Sequence, residues 1–354
     1  MAEPVDVLGL TCDELGARAQ SRMRRGAGVW VQVYRDAVRR GVWDPAGHGL
    51  NDESVAEWNR CFRLRLPEVV RVVEEDRDGR ATEKAVLRLD DGLEVECVRI
   101  PMAHGNSTLC ISSQVGCKMG CTFCETGLMG LLRNLTAAEI VSQVVVANAV
   151  LGWDIKNVVY MGMGEALDNV DCVIQSLRVL NDRKGLLIGQ QRITVCTVGH
   201  IPGIERLSRL GWPRLNLALS LSAGDDETRS QIMPITRKMP VADVLAAVQR
   251  YWPRKNFVLA LNYCLIPGVN DRRQDASSTA ALATGVGRAL INLIPYNPGT
   301  RPIARAPTEE ETARFIGWLE EDGAMVRRRK TKGRGAMAAC GQLGNPTLRR
   351  PRSS

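Results

Sequence analysis

The 354-residue chain contains no run of about 18 consecutive apolar residues, so nothing in it has the length to cross a bilayer as a helix. Its start, Met1-Ala-Glu-Pro-Val-Asp-Val, lacks a basic lead and an apolar stretch ending in small residues, and no secretion signal is expected. Internal repeats and low-complexity segments are absent. Histidine is scarce at three residues, which limits the ways a metal could be held. The 45% hydrophobic and 24% charged content fits a folded soluble protein, not a disordered or membrane one.

Cysteine, by contrast, occurs eleven times. An odd number in a chain without a signal implies a reducing compartment, with the cytoplasm as the expected location and the thiols free, metal-bound or catalytic. A net charge of +8 and a pI of about 9.0 favour a polyanionic partner such as nucleic acid. Arginine gathers near both ends, at Arg22, Arg24, Arg25, Arg35, Arg39 and Arg40, and with lysine at Arg327, Arg328, Arg329, Lys330, Lys332 and Arg334. Solvated helix faces and a frayed tail are the plain alternative for both groups.

Residues 12 to 66 carry helical patterns broken by the turn-forming Pro45-Ala-Gly-His-Gly-Leu-Asn51, which predicts a small helical domain. Two β-prone runs flank Asp90-Asp-Gly92, a hairpin signal. From about residue 108, short apolar strands alternate with helical stretches, the first opened by a Thr136-Ala-Ala-Glu139 capping box. Repeated β-then-α units demand a parallel sheet, open or partly closed into a barrel, with active residues at the C-terminal strand ends.

The most informative stretch is Cys117-Lys-Met-Gly-Cys121-Thr-Phe-Cys124. Three closely spaced thiolates suit an iron-sulfur cluster and leave one iron of a 4Fe-4S cube without a protein ligand. Structural zinc would want a fourth ligand; His104 is the only nearby histidine, and no second C-x2-C pair follows. Zinc and unligated core thiols are the alternatives.

The C-x3-C-x2-C spacing resembles that of the radical S-adenosylmethionine (SAM) superfamily. Six further segments resemble its RlmN/Cfr branch of RNA adenine methyltransferases: 108–117, 133–140, Met161-Gly-Met-Gly-Glu165, Gly268-Val-Asn-Asp271, Asn292-Leu-Ile-Pro-Tyr-Asn-Pro298 and Ala338-Ala-Cys-Gly-Gln-Leu343. The resemblance covers roughly residues 84 to 343 well and the helical N-terminus loosely. It implies an α/β fold built as a partial (β/α)6 barrel (103–335), preceded by a helical accessory domain (1–66) and a β-hairpin linker (67–102). A segment with a catalytic cysteine and basic tail (336–354) completes the expected organisation.

The resemblance also implies roles. Cys117, Cys121 and Cys124 would hold the 4Fe-4S cluster, and Gly164, Glu165, Cys196, Ser220, Leu221, Ser222 and Asn297 would contact SAM. Adenine C-H carbons are not nucleophiles, so the family first methylates a thiol, here Cys340, and carries the methyl group onward. Cys110 would release the product through a transient disulfide, and Glu96 would act as a general base. A buried structural thiol is the plain reading of Cys110 and Cys340, a solvated strand carboxylate that of Glu96, and a generic βα turn that of Gly162-Met-Gly164. Cys12, Cys61, Cys97, Cys172 and Cys264 are assigned to packing. Three positions depart from the family pattern: Ala166 replaces proline, Cys196 serine and Ser222 histidine. In addition, Gly335-Ala-Met337 replaces an acidic stretch.

The implied substrate is an adenine ring carbon, carbon 2 first and carbon 8 or another RNA as alternative, in rRNA with tRNA as a further target. An electron donor such as flavodoxin or ferredoxin is implied, and no membrane partner is expected. A metal-stabilised RNA-binding protein without catalysis is the reading from another class; the Cys340 segment argues against it, because a binding module needs no methyl-carrying thiol. Charge at Arg327 to Arg329 is expected to meet RNA phosphates.

Overall fold

The computed structural model describes residues 3–23, 25–77, 80–102, 105–251, 255–329 and 333–344. Arg24, His104, Lys330, Lys332 and the basic tail after 344 lie outside them. Strand β1 (Val5–Asp6) precedes helices α1 (Cys12–Arg22), α2 (Trp30–Arg35) and α3 (Asp52–Cys61), and β2 (Phe62–Arg63) returns to pair with β1 in parallel. Helix α1 begins at Thr11 because the Thr11 hydroxyl accepts from the Glu14 amide while the Glu14 carboxylate accepts from the Thr11 amide. Leu15 and Ala19 then fall on one buried face. Cys12 donates its amide to Asp182 at 2.6 Å and Gln175 donates to the Gly9 carbonyl at 3.0 Å, so the helical region is sewn onto the body behind it.

Three antiparallel strands follow, β3 (Glu68–Arg77), β4 (Arg80–Arg88) and β5 (Glu94–Pro101), with Asp90-Asp-Gly92 turning β4 into β5. The region expected as a linker is continuous with the main sheet: β5 pairs antiparallel with β6 (Ser107–Cys110), placing Val98 opposite Cys110. The chain then runs through β7 (Gln114–Val115), α4 (Glu125–Met129), β8 (Arg133–Asn134) and α5 (Ala137–Val145). Alternation follows as β9 (Asn157–Tyr160), α6 (Val170–Asn181), β10 (Ile193–Thr197), α7 (Ile201–Ser208) and β11 (Asn216–Ser220). It continues through α8 (Asp226–Ile232), α9 (Val241–Tyr251), β12 (Leu259–Leu265), α10 (Arg273–Gly285), β13 (Ala289–Pro295), α11 (Glu309–Glu321) and β14 (Val326–Arg328).

Ten of these strands form one sheet in the order β14-β13-β12-β11-β10-β9-β6-β5-β4-β3, while β7 and β8 pair with each other. From β6 to β14 every neighbour is parallel. Neither end strand pairs with the other, so the sheet is open. It is nonetheless strongly curved. Six strands laid flat from β9 to β14 would span about 24 Å, yet residues at or just beyond the ends of all six line a single cavity. A partial α/β barrel accounts for that convergence. The apolar run of β11 is buried at Leu217, Ala218 and Leu219, as a strand covered on both faces requires. Among the described residues no helix is long and apolar enough to cross a membrane.

Candidate active site

The cavity, about 170 Å³ in volume, opens at the C-terminal ends of the parallel strands. Cys117, Cys121 and Cys124 bound one side, on the loop between β7 and α4. Gly116 makes this loop possible: its φ of +77° is left-handed, and an added Cβ would lie 1.8 Å from the Gly130 carbonyl oxygen. Burial is the main cause raising all three thiols above the ordinary cysteine value. A metal that takes them as thiolates must displace a proton from each. Among the described residues, no three His, Cys, Asp or Glu side chains are grouped to hold a single metal ion.

The Gly162-Met-Gly-Glu165 turn after β9 supplies the adjoining wall. Gly164 has a φ of +99°, and a Cβ there would strike the Gln114 side chain at 2.6 Å. Gln114 accepts the Glu165 amide at 2.8 Å and donates to Asp168 at 2.9 Å and Asn134 at 2.7 Å, fixing this turn against the cluster loop. Glu165 is 3% exposed and accepts from the amides of Val198 (2.9 Å) and Leu167 (3.1 Å). Burial pushes its carboxyl up to about 7. Lys118, inside the cysteine motif, pairs with Asp168 at 2.7 Å.

Cys196, Ser220 and Ser222 also line the cavity. The Cys196 sulfur sits 3.4 Å from both the Ser220 hydroxyl and the Asn262 amide nitrogen, and Ser222 takes a left-handed φ of +58°. Leu221, between Ser220 and Ser222, does not line the cavity: its side chain is buried, its amide donates to the Asn262 carbonyl, and its own carbonyl accepts from Arg229 at 2.9 Å. Asn297 is 3% exposed, outside the cavity wall, and its Oδ1 has no hydrogen-bond partner among the described residues.

Cys340 stands exposed at the cavity rim, on a segment that folds back across the strand ends. The Gly341 carbonyl accepts the Glu125 amide at 2.8 Å and the Leu343 carbonyl accepts the Thr126 hydroxyl at 2.6 Å, docking this segment on α4. Cys110, at the end of β6, is buried behind it, and the Cys340 sulfur lies near enough to act on it electrostatically. Burial is the first cause that raises the Cys110 thiol. Glu96 is 5% exposed and not solvated; it pairs with Lys84 at 3.1 Å, accepts the Gly344 amide at 3.0 Å and does not line the cavity.

Three features were not anticipated. Cys264, assigned to packing, lines the cavity beside Asn262, because residues two apart on β12 share a face. Arg229 is 1% exposed, yet its guanidinium meets only neutral acceptors: the carbonyls of Leu221, Val198 and Ser220 and the Thr236 hydroxyl. It thereby ties the ends of β10 and β11 together. The arginines at 327–329 form no uniform basic face: Arg327 is exposed, Arg328 pairs with Glu309 at 2.5 Å and Arg329 lines the cavity. Where the acidic stretch is replaced, Glu75 on β3 accepts the amides of Gly335 and Ala336.

A partial α/β barrel whose strand-end cavity gathers three spaced thiols, a buried carboxylate and a further thiol at the rim defines a radical SAM enzyme. The radical SAM superfamily model matches residues 111–278. The chain is 38% identical over 350 residues to a probable dual-specificity RNA methyltransferase RlmN 1 of Protochlamydia amoebophila, covering 98% of this chain and 96% of that protein. It is 40% identical to the dual-specificity RNA methyltransferase RlmN of Syntrophotalea carbinolica, over 96% of this chain and 89% of that one. A crystal structure of a radical SAM methyltransferase from Sphaerobacter thermophilus superposes with a TM-score of 0.87 at 36% identity, covering 96% and 99% of the two chains. The chain belongs to the RlmN family of radical SAM RNA methyltransferases, whose members use a 4Fe-4S cluster and SAM. The residues present fit those groups: three thiols open onto one cavity, and Glu165, a buried acceptor, lines it beside them with Cys196, Ser220 and Ser222.

Proposed function

We propose that this enzyme methylates carbon 2 of an adenine in rRNA and tRNA, in the cytoplasm, with Cys340 as the methyl carrier and Cys110 as the resolving thiol. Cys117, Cys121 and Cys124 hold the cluster, while Glu165, Ser220, Ser222, Cys196 and the backbone at Gly164 receive SAM, with Leu221 and Asn297 behind the cavity wall. When bound, these cofactors supply a methyl group and a carbon radical able to take a hydrogen atom. The observation that carries the reading is Cys340 at the rim of the cavity that the three thiols line, with Cys110 buried on the adjoining strand end.

Each thiol has a separate task. Cys340, exposed and mounted on a docked segment, is accessible to accept a methyl group by displacement. Once that carbon is joined to the adenine ring, the base is tethered to the protein through sulfur. After the adduct has lost the ring C–H proton and one electron, which the bound cluster would take back, Cys110 gives up its proton and attacks the Cys340 sulfur. The disulfide forms as the S–C bond breaks, and its electron pair stays with the carbon on the ring, which takes up a proton to become the methyl group. Burial of Cys110 keeps it protonated and unreactive until the Cys340 sulfur is presented to it. A small reductant then restores both thiols, and a flavodoxin- or ferredoxin-like protein supplies electrons to the cluster.

Mass mapping of methylated adenosines in rRNA and tRNA from cells with and without the gene tests the assignment. Loss of 2-methyladenosine on deletion supports it; loss of 8-methyladenosine instead would move the target to the other ring carbon. A Cys340→Ala enzyme that methylates at the normal rate refutes the two-thiol route.

A further inference from the structure

The three antiparallel strands β3, β4 and β5 present a row of buried or pinned polar groups to the segment that carries Cys340. Lys84 on β4 and Glu96 on β5 are 4% and 5% exposed and lie 3.1 Å apart. The Lys84 ammonium also donates to the Met337 carbonyl at 2.9 Å, and the second Glu96 oxygen accepts the Gly344 amide at 3.0 Å. Met337 and Gly344 flank Cys340 on its two sides, so a single ion pair grips the segment before and after the thiol. Glu75 on β3 adds the Gly335 and Ala336 amides to the same platform.

A buried ion pair is a costly way to hold a sheet together, since apolar residues of similar size would pack there at no loss of stability. Its use is better sought in what the charges hold. Charge-assisted bonds to backbone groups are stronger and more directional than neutral ones. Here both go to the one segment whose position decides whether a thiol reaches its partner. Both Glu96 oxygens are engaged and neither faces the cavity, which favours holding over proton removal.

We infer that Lys84, acting with Glu96, is a positioning residue that locks the Cys340 segment over the cavity, and that the β3–β5 strands are the platform for this lock. The inference deepens the proposed role of Cys340 and rests on it for its effect on turnover, though not for the lock itself. Lys84 touches neither cofactor nor substrate. Its loss would leave the barrel formed and the thiol poorly placed, so radical formation would proceed with little methyl transfer.

Hydrogen exchange on anaerobic, cluster-loaded full chain tests the lock without reference to turnover. In Lys84→Met, peptides spanning 335–344 should exchange at least about tenfold faster, the change expected from losing one hydrogen bond to a charged group. Lys84→Arg, which keeps the cation, should restore much of the protection. Should Lys84→Met unfold because Glu96 is left buried and unpaired, the double variant Lys84→Met/Glu96→Met removes that charge and keeps the strands packed. In it, exchange at Val86 and Val98 should stay slow while 335–344 opens. Segment exchange within about twofold of wild type in that variant overturns the inference. The ratio of 5'-deoxyadenosine formed to methyl groups transferred should rise in Lys84→Met. If Cys340 were not the carrier, the exchange result would stand and this ratio would not move.

Discussion

The Glu165 carboxylate lies 2.9 Å from the Val198 amide nitrogen, so the turn after β9 and the end of β10 are joined through one buried acid. Burial raises that acid to about 7 from 4.5. Between those values the folded protein holds a proton that the unfolded chain has lost. The associated stability is therefore full below pH 4.5 and is lost as pH rises through about 7. An ammonium partner prefers the ionised carboxylate. SAM binding at about pH 6 should expel a proton, and at about pH 8 it should not. Calorimetry in buffers of different protonation enthalpy checks this, and Glu165→Gln should abolish the difference while weakening SAM at least about tenfold, as loss of a charged partner implies.

Each of Cys117→Ala, Cys121→Ala and Cys124→Ala should lose bound iron and sulfide on anaerobic reconstitution. Cleavage of SAM should fall to background in all three. Cys264→Ala, a cavity thiol outside the motif, should retain full iron content. Metal analysis beside product chromatography separates the two groups.

Cys110→Ala should trap the enzyme on its RNA. With the buried thiol gone, nothing attacks the Cys340 sulfur, and the tether persists through denaturing electrophoresis. Cys110→Ala/Cys340→Ala should show no such adduct, because no tether forms.

Gly116→Ala should cost at least about 2 kcal/mol, combining a left-handed backbone with a clash against a carbonyl. The loop must shift to accommodate a methyl group, and the cysteines move with it. Chemical denaturation of the apo-protein measures the stability loss, and iron content measures the effect on the cluster.

Much of this architecture could be read before any coordinates. The apolar run 215–220 is a local signal and forms β11, while the thiols spaced 117-121-124 come to line one cavity because a single short loop carries them. Strand β14 was not legible. Its three residues Val326–Arg328 look like a basic tail, and only pairing with Ile291 to Leu293 makes them a strand. Arg327 is exposed and Arg329, just past the strand, lines the cavity, which no count of charges reveals. The stretch 67–102 was legible as β-structure but not as part of the main sheet, since the link rests on the long-range match of Val98 with Cys110. Cys264 could have been found: its parity with Asn262 along the strand places both on one face.

Residues 68–101 precede all the barrel strands, whereas Cys340 follows the last of them. During synthesis the platform therefore emerges early and the segment bearing Cys340 late. That segment can dock on Lys84 and Glu96 only after every strand of the sheet has been made, so its seating closes the assembly of the chain.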